Sequence, residues 1–222
     1  MTRTDRPPVR IREMAEDDAE AVAAVRVRGW RAAYHGLMPR AYLNALNVPE
    51  QTAAQRARLR RRPPEVRDLV AERSGTVVGW ACVGPAPDTA AGPTPGTPDD
   101  PTNTAPAPGA TPGPARPAPD TAGHSAPAPA PAAPAPALVA ELFALYVTPE
   151  LSGTGIGRAL MAAALEHARQ AGFGELCLWV VRGNTRARGF YARAGFAPDG
   201  TEQTDEVDGV PVPELRYRRA VG

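Results

Sequence analysis

The chain has 222 residues and a nearly balanced charge, with 25 basic and 24 acidic side chains and a formal net charge of +1. This balance argues against a nucleic-acid-binding protein, which needs a strongly basic surface. The segment Met1–Glu20 is charged throughout, and no apolar run approaches the roughly 18 residues of a membrane span, so neither a secretory signal nor a membrane helix is predicted. Cys82 and Cys177 each lie in an apolar run without metal-ligand spacing, which favours buried thiols and a cytoplasmic location.

The first part of the sequence predicts, in chain order, one strand, three helices and a β-hairpin. These elements are a strand at Val9–Glu13, helices at Asp17–Tyr34, Pro39–Leu46 and Glu50–Arg61, and hairpin strands at Val66–Ala71 and Thr76–Val83. Asp17 is a suitable N-cap residue, and Pro39 suits the first position of a helix. Ser74-Gly75 is a typical turn pair between the two hairpin strands.

A long internal segment differs in composition from everything around it. Residues 84–137 contain no Val, Ile, Leu, Met, Phe, Trp or Tyr, and 17 of the 27 prolines are found there. Such a segment cannot bury enough apolar surface to offset roughly 1–2 kcal/mol of backbone entropy per ordered residue. We therefore expect a Pro/Ala-rich disordered insertion at 84–137, with residues 1–83 and 138–222 forming a single domain.

The second part of the sequence alternates strands and helices and then ends in a hairpin. The predicted elements are a strand at Ala137–Val147, a helix at Gly157–Ala171, a strand at Glu175–Val181, a helix at Thr185–Ala194 and a hairpin turning at Asp208-Gly209. The strand Glu175–Val181 is almost continuously apolar, so it should be central and buried on both faces. Antiparallel pairs combined with one β-α-β crossover predict the α+β (mixed α/β) fold class.

A glycine-rich loop, Gly153-Thr-Gly155-Ile-Gly157, joins an apolar strand directly to an amphipathic helix. The unpaired N–H groups of a helix N-terminus and the helix dipole make such a loop a phosphate-binding site. A nucleotide-triphosphate P-loop is excluded, because Arg158-Ala159 follow instead of Lys-Ser/Thr. A dinucleotide fingerprint is disfavoured, because the glycine spacing differs and the next strand ends in Val181-Arg182, without an acidic residue for the ribose.

The loop and three further segments resemble the GNAT superfamily of N-acetyltransferases, in its bacterial form. The family's pyrophosphate-loop pattern, Gln/Arg-x-x-Gly-x-Gly/Ala, aligns with Ser152–Gly157, with serine in place of Gln or Arg. The resemblance continues through 178–184, 187–196 and 28–34, and it covers the chain except the insertion. It implies a central mixed, mostly antiparallel sheet with helices on both faces and a splayed cofactor cleft.

The resemblance also implies acetyl-CoA as the acyl-donor cosubstrate, with no metal. Strands at Leu142–Val147 and Glu175–Val181 would splay to admit the pantetheine arm. Backbone groups of Leu145, Tyr146 and Val147 would then bind the pantetheine arm and the thioester. The pyrophosphate would be bound by the backbone of the glycine loop and the first helical turn, at Thr154, Gly155, Ile156, Gly157, Arg158 and Ala159. Asn184 would bond the pantetheine, cap the following helix, or do both.

Two residues are candidates for proton transfer in a direct reaction with a primary amine. Tyr191 is the expected general acid for the departing thiolate; the alternative is a core aromatic residue. Glu141 occupies the strand position of the glutamate base in family members that have one, and the alternative is a solvated strand-end carboxylate. Glu72 is a weaker candidate base on the neighbouring hairpin.

The acceptor pocket is expected to form from Trp30, Tyr34, the 36–42 connection and the final hairpin. Four hairpin carboxylates either attract a cationic amine or merely solubilise the surface: Glu202, Asp205, Glu206 and Asp208. The expected partners are a small-molecule amine or a protein or peptide amine, with no nucleic acid and no membrane, in a monomer or homodimer. The rival hypotheses are a non-catalytic acyl-CoA-binding regulatory module and an interaction protein that acts through its Pro/Ala-rich arm.

Overall fold

The computed structural model describes residues 7–87 and 138–222. Seven strands form one sheet in the order β1-β2-β3-β4-β5-β7-β6, and every neighbouring pair is antiparallel except β4 and β5, which are parallel. The strands are β1 (Arg10–Glu13), β2 (Arg67–Arg73), β3 (Thr76–Pro85), β4 (Val139–Val147), β5 (Glu175–Val181), β6 (Ala197–Val207) and β7 (Val210–Ala220). The predicted α+β fold with a mixed, mostly antiparallel sheet is confirmed.

Five α-helices accompany the sheet in the described residues, and their bounds agree closely with the periodicity of the sequence. They are α1 (Ala19–Ala33), α2 (Arg40–Ala45), α3 (Val48–Arg61), α4 (Ile156–Gln170) and α5 (Thr185–Arg193). The first helix begins later than predicted, because a 3-10 turn at Glu16–Asp18 precedes it. Asp18 instead of Asp17 is therefore the residue before the helix, and its Oδ2 accepts a hydrogen bond from the Ala15 N–H at 2.8 Å.

The helices cover both faces of the sheet, as the resemblance implied. On one face, Leu160 and Ala164 of α4 belong to the same core cluster as Leu176 and Leu178 of β5. On the other face, Val22 of α1 packs in the cluster that contains Val70 and Trp80. Each fully buried leucine of this kind contributes about 2 kcal/mol through removal of apolar surface from water.

A buried carboxylate joins α3 to the hairpin formed by β2 and β3. Asp68 is fully buried, accepts a hydrogen bond from Trp80 Nε1 at 2.9 Å and forms ion pairs with Arg58 and Arg62. A buried charge is tolerated only when it is paired and hydrogen-bonded in this way. The three partners therefore hold the polar helix α3 against the sheet.

Strand β3 extends two residues beyond the predicted end at Val83. Gly84 pairs with Glu141, Pro85 pairs with Ala140, and the Ala86 N–H donates to the Val139 carbonyl at 2.9 Å. Composition assigned Gly84 and Pro85 to the insertion, but strand pairing depends on the backbone and continues without apolar side chains. The predicted disorder at 88–137 falls outside the described residues.

The parallel pair β4 and β5 is joined only at its beginning. Pairing covers Val139–Glu141 and Glu175–Cys177 and then stops. At the same level the β3–β4 register shifts by one residue, which leaves Phe143 as the extra residue of a β-bulge on β4. Because a bulge bends its strand, β4 turns away from β5 there, and the predicted splay is confirmed.

Candidate active site

The diverging ends of β4 and β5 open into a cavity of about 540 Å³. Its wall combines the end of β4, the glycine loop, the first turn of α4, the end of α1 and one side of α5. This volume lies within the range of small-molecule and cofactor pockets. The cavity contains eight of the predicted cofactor and catalytic residues: Leu145, Tyr146, Val147, Gly155, Gly157, Arg158, Asn184 and Tyr191.

The glycine loop has the backbone geometry that leaves a helix N-terminus open to a ligand. Gly153 and Gly155 adopt φ values of +78° and +93°, which residues with a side chain rarely adopt. Gly155 is the N-cap of α4, and no side chain caps the helix. The helix begins at Ile156 and not, as predicted, at Gly157. The Ile156 side chain packs in the core, so this residue can offer a ligand only its backbone N–H.

Two of the predicted phosphate-binding N–H groups are already engaged within the protein. The Thr154 N–H donates to the Leu151 carbonyl at 3.3 Å, and the Ala159 N–H donates to the Gly155 carbonyl at 3.0 Å. The prediction that all the N–H groups of residues 154–159 are free to bind a phosphate is therefore too wide. The open donors lie between these two residues, at positions 155–158, because a helix leaves its first N–H groups without internal partners.

The end of β4 presents alternate N–H groups to the gap. The Thr148 N–H donates to the Val78 carbonyl of β3 at 2.9 Å, and hydrogen-bonded positions alternate along an antiparallel pair. The Tyr146 N–H therefore faces Trp80 of β3, whereas those of Leu145 and Val147 face the gap. This corrects the expectation that all three residues offer their backbone to a cofactor.

Tyr146 contributes its side chain, which three contacts hold in place. Its ring stacks on Trp80 with centroids 6.1 Å apart, and its hydroxyl accepts a hydrogen bond from Trp30 Nε1 at 2.8 Å. Gly29 makes room for the ring, because a Cβ at that position would lie 3.1 Å from Tyr146 Cδ1. Burial raises the pKa of Tyr146, so its hydroxyl stays protonated at neutral pH.

The predicted acceptor residues Trp30 and Tyr34 lie beside this cavity rather than in its wall. Their rings meet edge to face at 5.1 Å, and both belong to a cluster with Tyr42 of α2 and Val212 of β7. The connection after α1 instead supplies His35 and Leu37 to the cavity. Trp30 therefore acts on the site through the Tyr146 hydroxyl.

Helix α5 supplies Asn184 and Tyr191. The Asn184 side-chain oxygen accepts a hydrogen bond from the Ala187 N–H at 3.0 Å, so the capping role is observed, and the residue also lines the cavity. Tyr191 packs edge to face against Phe190 and Phe196, at 5.3 Å and 6.1 Å. Phe190 is half-buried and lines the cavity too. Burial raises the pKa of Tyr191 well above its ordinary value, with a smaller contribution from Tyr146, so its hydroxyl stays protonated at neutral pH.

Glu141 lies where the β4–β5 pairing ends, on the sheet face that α1 covers. Its neighbours Ala140 and Leu142 point into the α4-side core, so the alternation of β4 directs Glu141 the other way. Burial, with a smaller contribution from nearby Glu214 and an opposing one from Arg216, raises the pKa of Glu141 to about 7. Glu72, the weaker candidate, instead accepts a hydrogen bond from Arg12 Nε at 2.8 Å.

The acidic side chain that faces this region from the last hairpin is Glu214, which sequence reasoning missed. Of the four predicted hairpin carboxylates, Asp205 is half-buried, Glu202 pairs with Arg182, and Glu206 and Asp208 are exposed. Glu214 is half-buried on β7, and burial raises its pKa. The alternation of Val212 and Glu214 on one strand face was the available signal.

The part of the chain that the structure describes contains no group of three or more His, Cys, Asp or Glu residues arranged to hold a metal ion. Among the same residues, no helix combines the length and apolar character needed to cross a bilayer. Cys82 and Cys177 are buried thiols that are not joined in a disulfide.

The mixed sheet that opens beside an uncapped helix N-terminus has counterparts among known proteins. The profile of the Acetyltransferase (GNAT) family matches residues 120–196. The uncharacterized N-acetyltransferase YuaI of Bacillus subtilis is 25% identical over 208 residues, covering 93% of this chain and 90% of that protein. The PaiA N-acetyltransferase of Thermoplasma acidophilum, solved with coenzyme A, superimposes with a TM-score of 0.61 at 18% identity over 96% of this chain and 99% of that one. The chain is therefore similar in sequence to the GNAT acetyltransferases and shares their fold.

A shorter similarity covers about a third of the chain. The mycothiol acetyltransferase of Geodermatophilus obscurus is 36% identical over 73 residues, which is 33% of this chain and 24% of that protein. The chain thus matches about a quarter of that relative. This match concerns only part of that protein and leaves the acceptor undefined.

Proposed function

We propose that the protein transfers an acetyl group from acetyl-CoA to a primary amine by direct reaction in a ternary complex. The observation that carries the proposal is the cavity between the diverging strands, which runs from the open N–H groups of β4 to the uncapped N-terminus of α4. Its shape suits an elongated ligand with an amide-rich arm and a diphosphate. The coenzyme A complex of the structurally similar PaiA protein supports the same ligand here.

The cofactor would be held mainly by backbone groups. The pantetheine arm would lie along β4 and accept or donate strand-like hydrogen bonds at Leu145 and Val147. The pyrophosphate would lie over the N–H groups of 155–158, where the helix dipole favours negative charge. The Arg158 side chain, which lines the cavity, would add a cation to this end.

Glu141 and Tyr191 would carry the proton transfers. Glu141, with its pKa near 7, accepts a proton from the acceptor ammonium through water and leaves a nucleophilic amine. The amine nitrogen attacks the thioester carbon, and N–H groups at the end of β4 stabilise the oxyanion. The C–S bond then breaks, Tyr191 donates its proton to the departing thiolate, and the acetylated amine loses its remaining proton to solvent.

The arrangement of the sheet also supports a proposal about the domain organisation. All seven strands belong to one sheet, so we propose that residues 1–83 and 138–222, together with Gly84 and Pro85, form a single catalytic domain. The two buried thiols support a reducing, cytoplasmic location. The acceptor is either a small-molecule amine or a protein or peptide amine, and the protein would act as a monomer or homodimer.

Calorimetry with acetyl-CoA followed by turnover assays on an amine panel tests the proposal. Wild-type protein should bind acetyl-CoA and release coenzyme A only in the presence of an amine. Tyr191→Phe keeps the ring packing against Phe190 and should lower kcat by about 10²-fold or more while acetyl-CoA binding is unchanged. Acetyl-CoA binding without turnover on any amine would show a non-catalytic acyl-CoA-binding module instead, and failure to bind acetyl-CoA would overturn both.

A further inference from the structure

Strand β7 places Glu214 between two aromatic groups on the face that α1 and α2 cover. Val212, Glu214 and Arg216 share this face because side chains alternate along a strand. Val212 packs in the cluster of Trp30 and Tyr42, whereas Arg216 lies over the Trp179 ring at 5.7 Å. Glu214 therefore lies at the border between the aromatic cluster of Trp30 and Tyr42 and half-buried Trp179 of β5.

Glu214 has a neutral hydrogen-bond partner but no cationic one among the described residues. Its Oε2 accepts a hydrogen bond from Gln203 Nε2 at 2.8 Å. Arg216, two positions along the strand, is committed to Asp199 Oδ2 at 2.7 Å and to Thr201 Oγ1 at 2.8 Å. A half-buried carboxylate without a counter-ion is costly, so a ligand cation at this position would be stabilised.

The strand register directs Glu214 and Glu141 to the same face. Glu141 of β4 lies opposite Cys177 of β5, and Val181 of β5 lies opposite Glu214 of β7. Half-buried Trp179, with the Arg216 guanidinium over its ring, lies between these two positions of β5. Each carboxylate is close enough to be affected by another negative charge: Glu214 raises the pKa of Glu141, and Asp205 raises that of Glu214.

We propose that Glu214 determines acceptor specificity by binding a second ammonium group of a di- or polycationic amine whose other amine reacts beside Glu141. The inference rests on the proposed acetyl transfer and adds the class of acceptor. The methylene chain between the two amines would lie along Trp179. Asp205 would add to the negative potential that attracts such an acceptor.

The test compares acceptors that differ by one charge, 1,8-diaminooctane and octylamine, in wild-type protein and in Glu214→Gln. The amide keeps the size of the side chain and removes its charge. We expect KM for the diamine to rise about tenfold, as for loss of a charge-assisted contact, with kcat for both amines and KM for octylamine within about twofold. Glu20→Gln is the matched control, because Glu20 lies exposed at the beginning of α1, far from the end of that helix that lines the cavity, and should change neither KM.

Equal effects of Glu214→Gln on the diamine and the monoamine, or no effect on either, would overturn the inference. Calorimetric titration of 1,8-diaminooctane into the coenzyme A complex gives a readout independent of turnover, and there the variant should bind at least about tenfold more weakly. Wild-type protein that acetylates no amine but binds the diamine through Glu214 would refute the acetyl transfer alone. Turnover on amines with an unchanged diamine preference in the variant would refute the role of Glu214 alone.

Discussion

Replacing Glu141 by Gln should remove activity and stabilise the protein at alkaline pH. The folded chain holds the carboxyl proton with a pKa of about 7, against 4.5 for the ordinary group. Because the folded pKa is raised, stability present below about pH 4.5 is lost as the pH rises through 7, when the buried group must ionise. At about 1.4 kcal/mol per pH unit, ionising Glu141 in the folded protein costs about 3 kcal/mol of stability. Because the side chain is partly in contact with solvent, we expect the actual cost to be about 1–2 kcal/mol.

Thermal unfolding at alkaline and acidic pH measures this cost directly. For a domain of this size, 1–2 kcal/mol corresponds to a Tm increase of roughly 3–6 °C near pH 8.5, and the gain should shrink steadily towards pH 5. The same variant should lose about 10²-fold or more in kcat, and the rising limb of the wild-type kcat/KM profile near pH 7 should disappear. Glu72→Gln is the control, and its effect on Tm should have the opposite sign. It removes the ion pair with Arg12 and should therefore lower the stability at alkaline pH. Unchanged stability at both pH values with normal turnover would identify Glu141 as a solvated carboxylate and refute the base.

Three further predictions concern the loop, the buried ion pair and the insertion. Gly155→Ala places a side chain at φ +93° and should weaken acetyl-CoA binding about tenfold in calorimetry, whereas Gly75→Ala, at φ +76° in the distant β2–β3 turn, should lose similar stability of about 1 kcal/mol without losing affinity. Asp68→Asn should lower the free energy of unfolding in urea by about 3 kcal/mol, and a loss below about 1 kcal/mol would contradict the buried pairing. Deleting 88–137 and joining β3 to β4 with a short Gly-rich turn should leave acetyl-CoA affinity unchanged, because Ala86 and Val139 are already hydrogen-bonded neighbours. Loss of both affinity and turnover in that deletion would show that the insertion belongs to the catalytic unit.

The sequence alone predicted most elements and the position of the glycine loop. Strand β5 was predicted at the bounds the structure gives, Glu175–Val181, because a continuous apolar run is a local property that depends on no partner. The glycine loop could also be predicted from the sequence, since the turn itself requires positive φ at Gly153 and Gly155. Where tertiary contacts determine the end of an element, the bounds predicted from local sequence were wrong by a few residues. Gly84 and Pro85, for example, pair with β4 although their composition is typical of a loop.

Only the tertiary structure decided which groups face the cleft. The bulge at Phe143 reverses the side to which later β4 N–H groups point, so Leu145 and Val147 are open and Tyr146 is not. Trp30 and Tyr146 are 116 positions apart, yet their hydrogen bond fixes one wall of the cavity. Glu214 gains its importance from a register shared by β5 and β7 and from the absence of a cation beside it in the described residues. Strand register and contacts between distant segments are set when the whole sheet assembles, and no local pattern of residues encodes them.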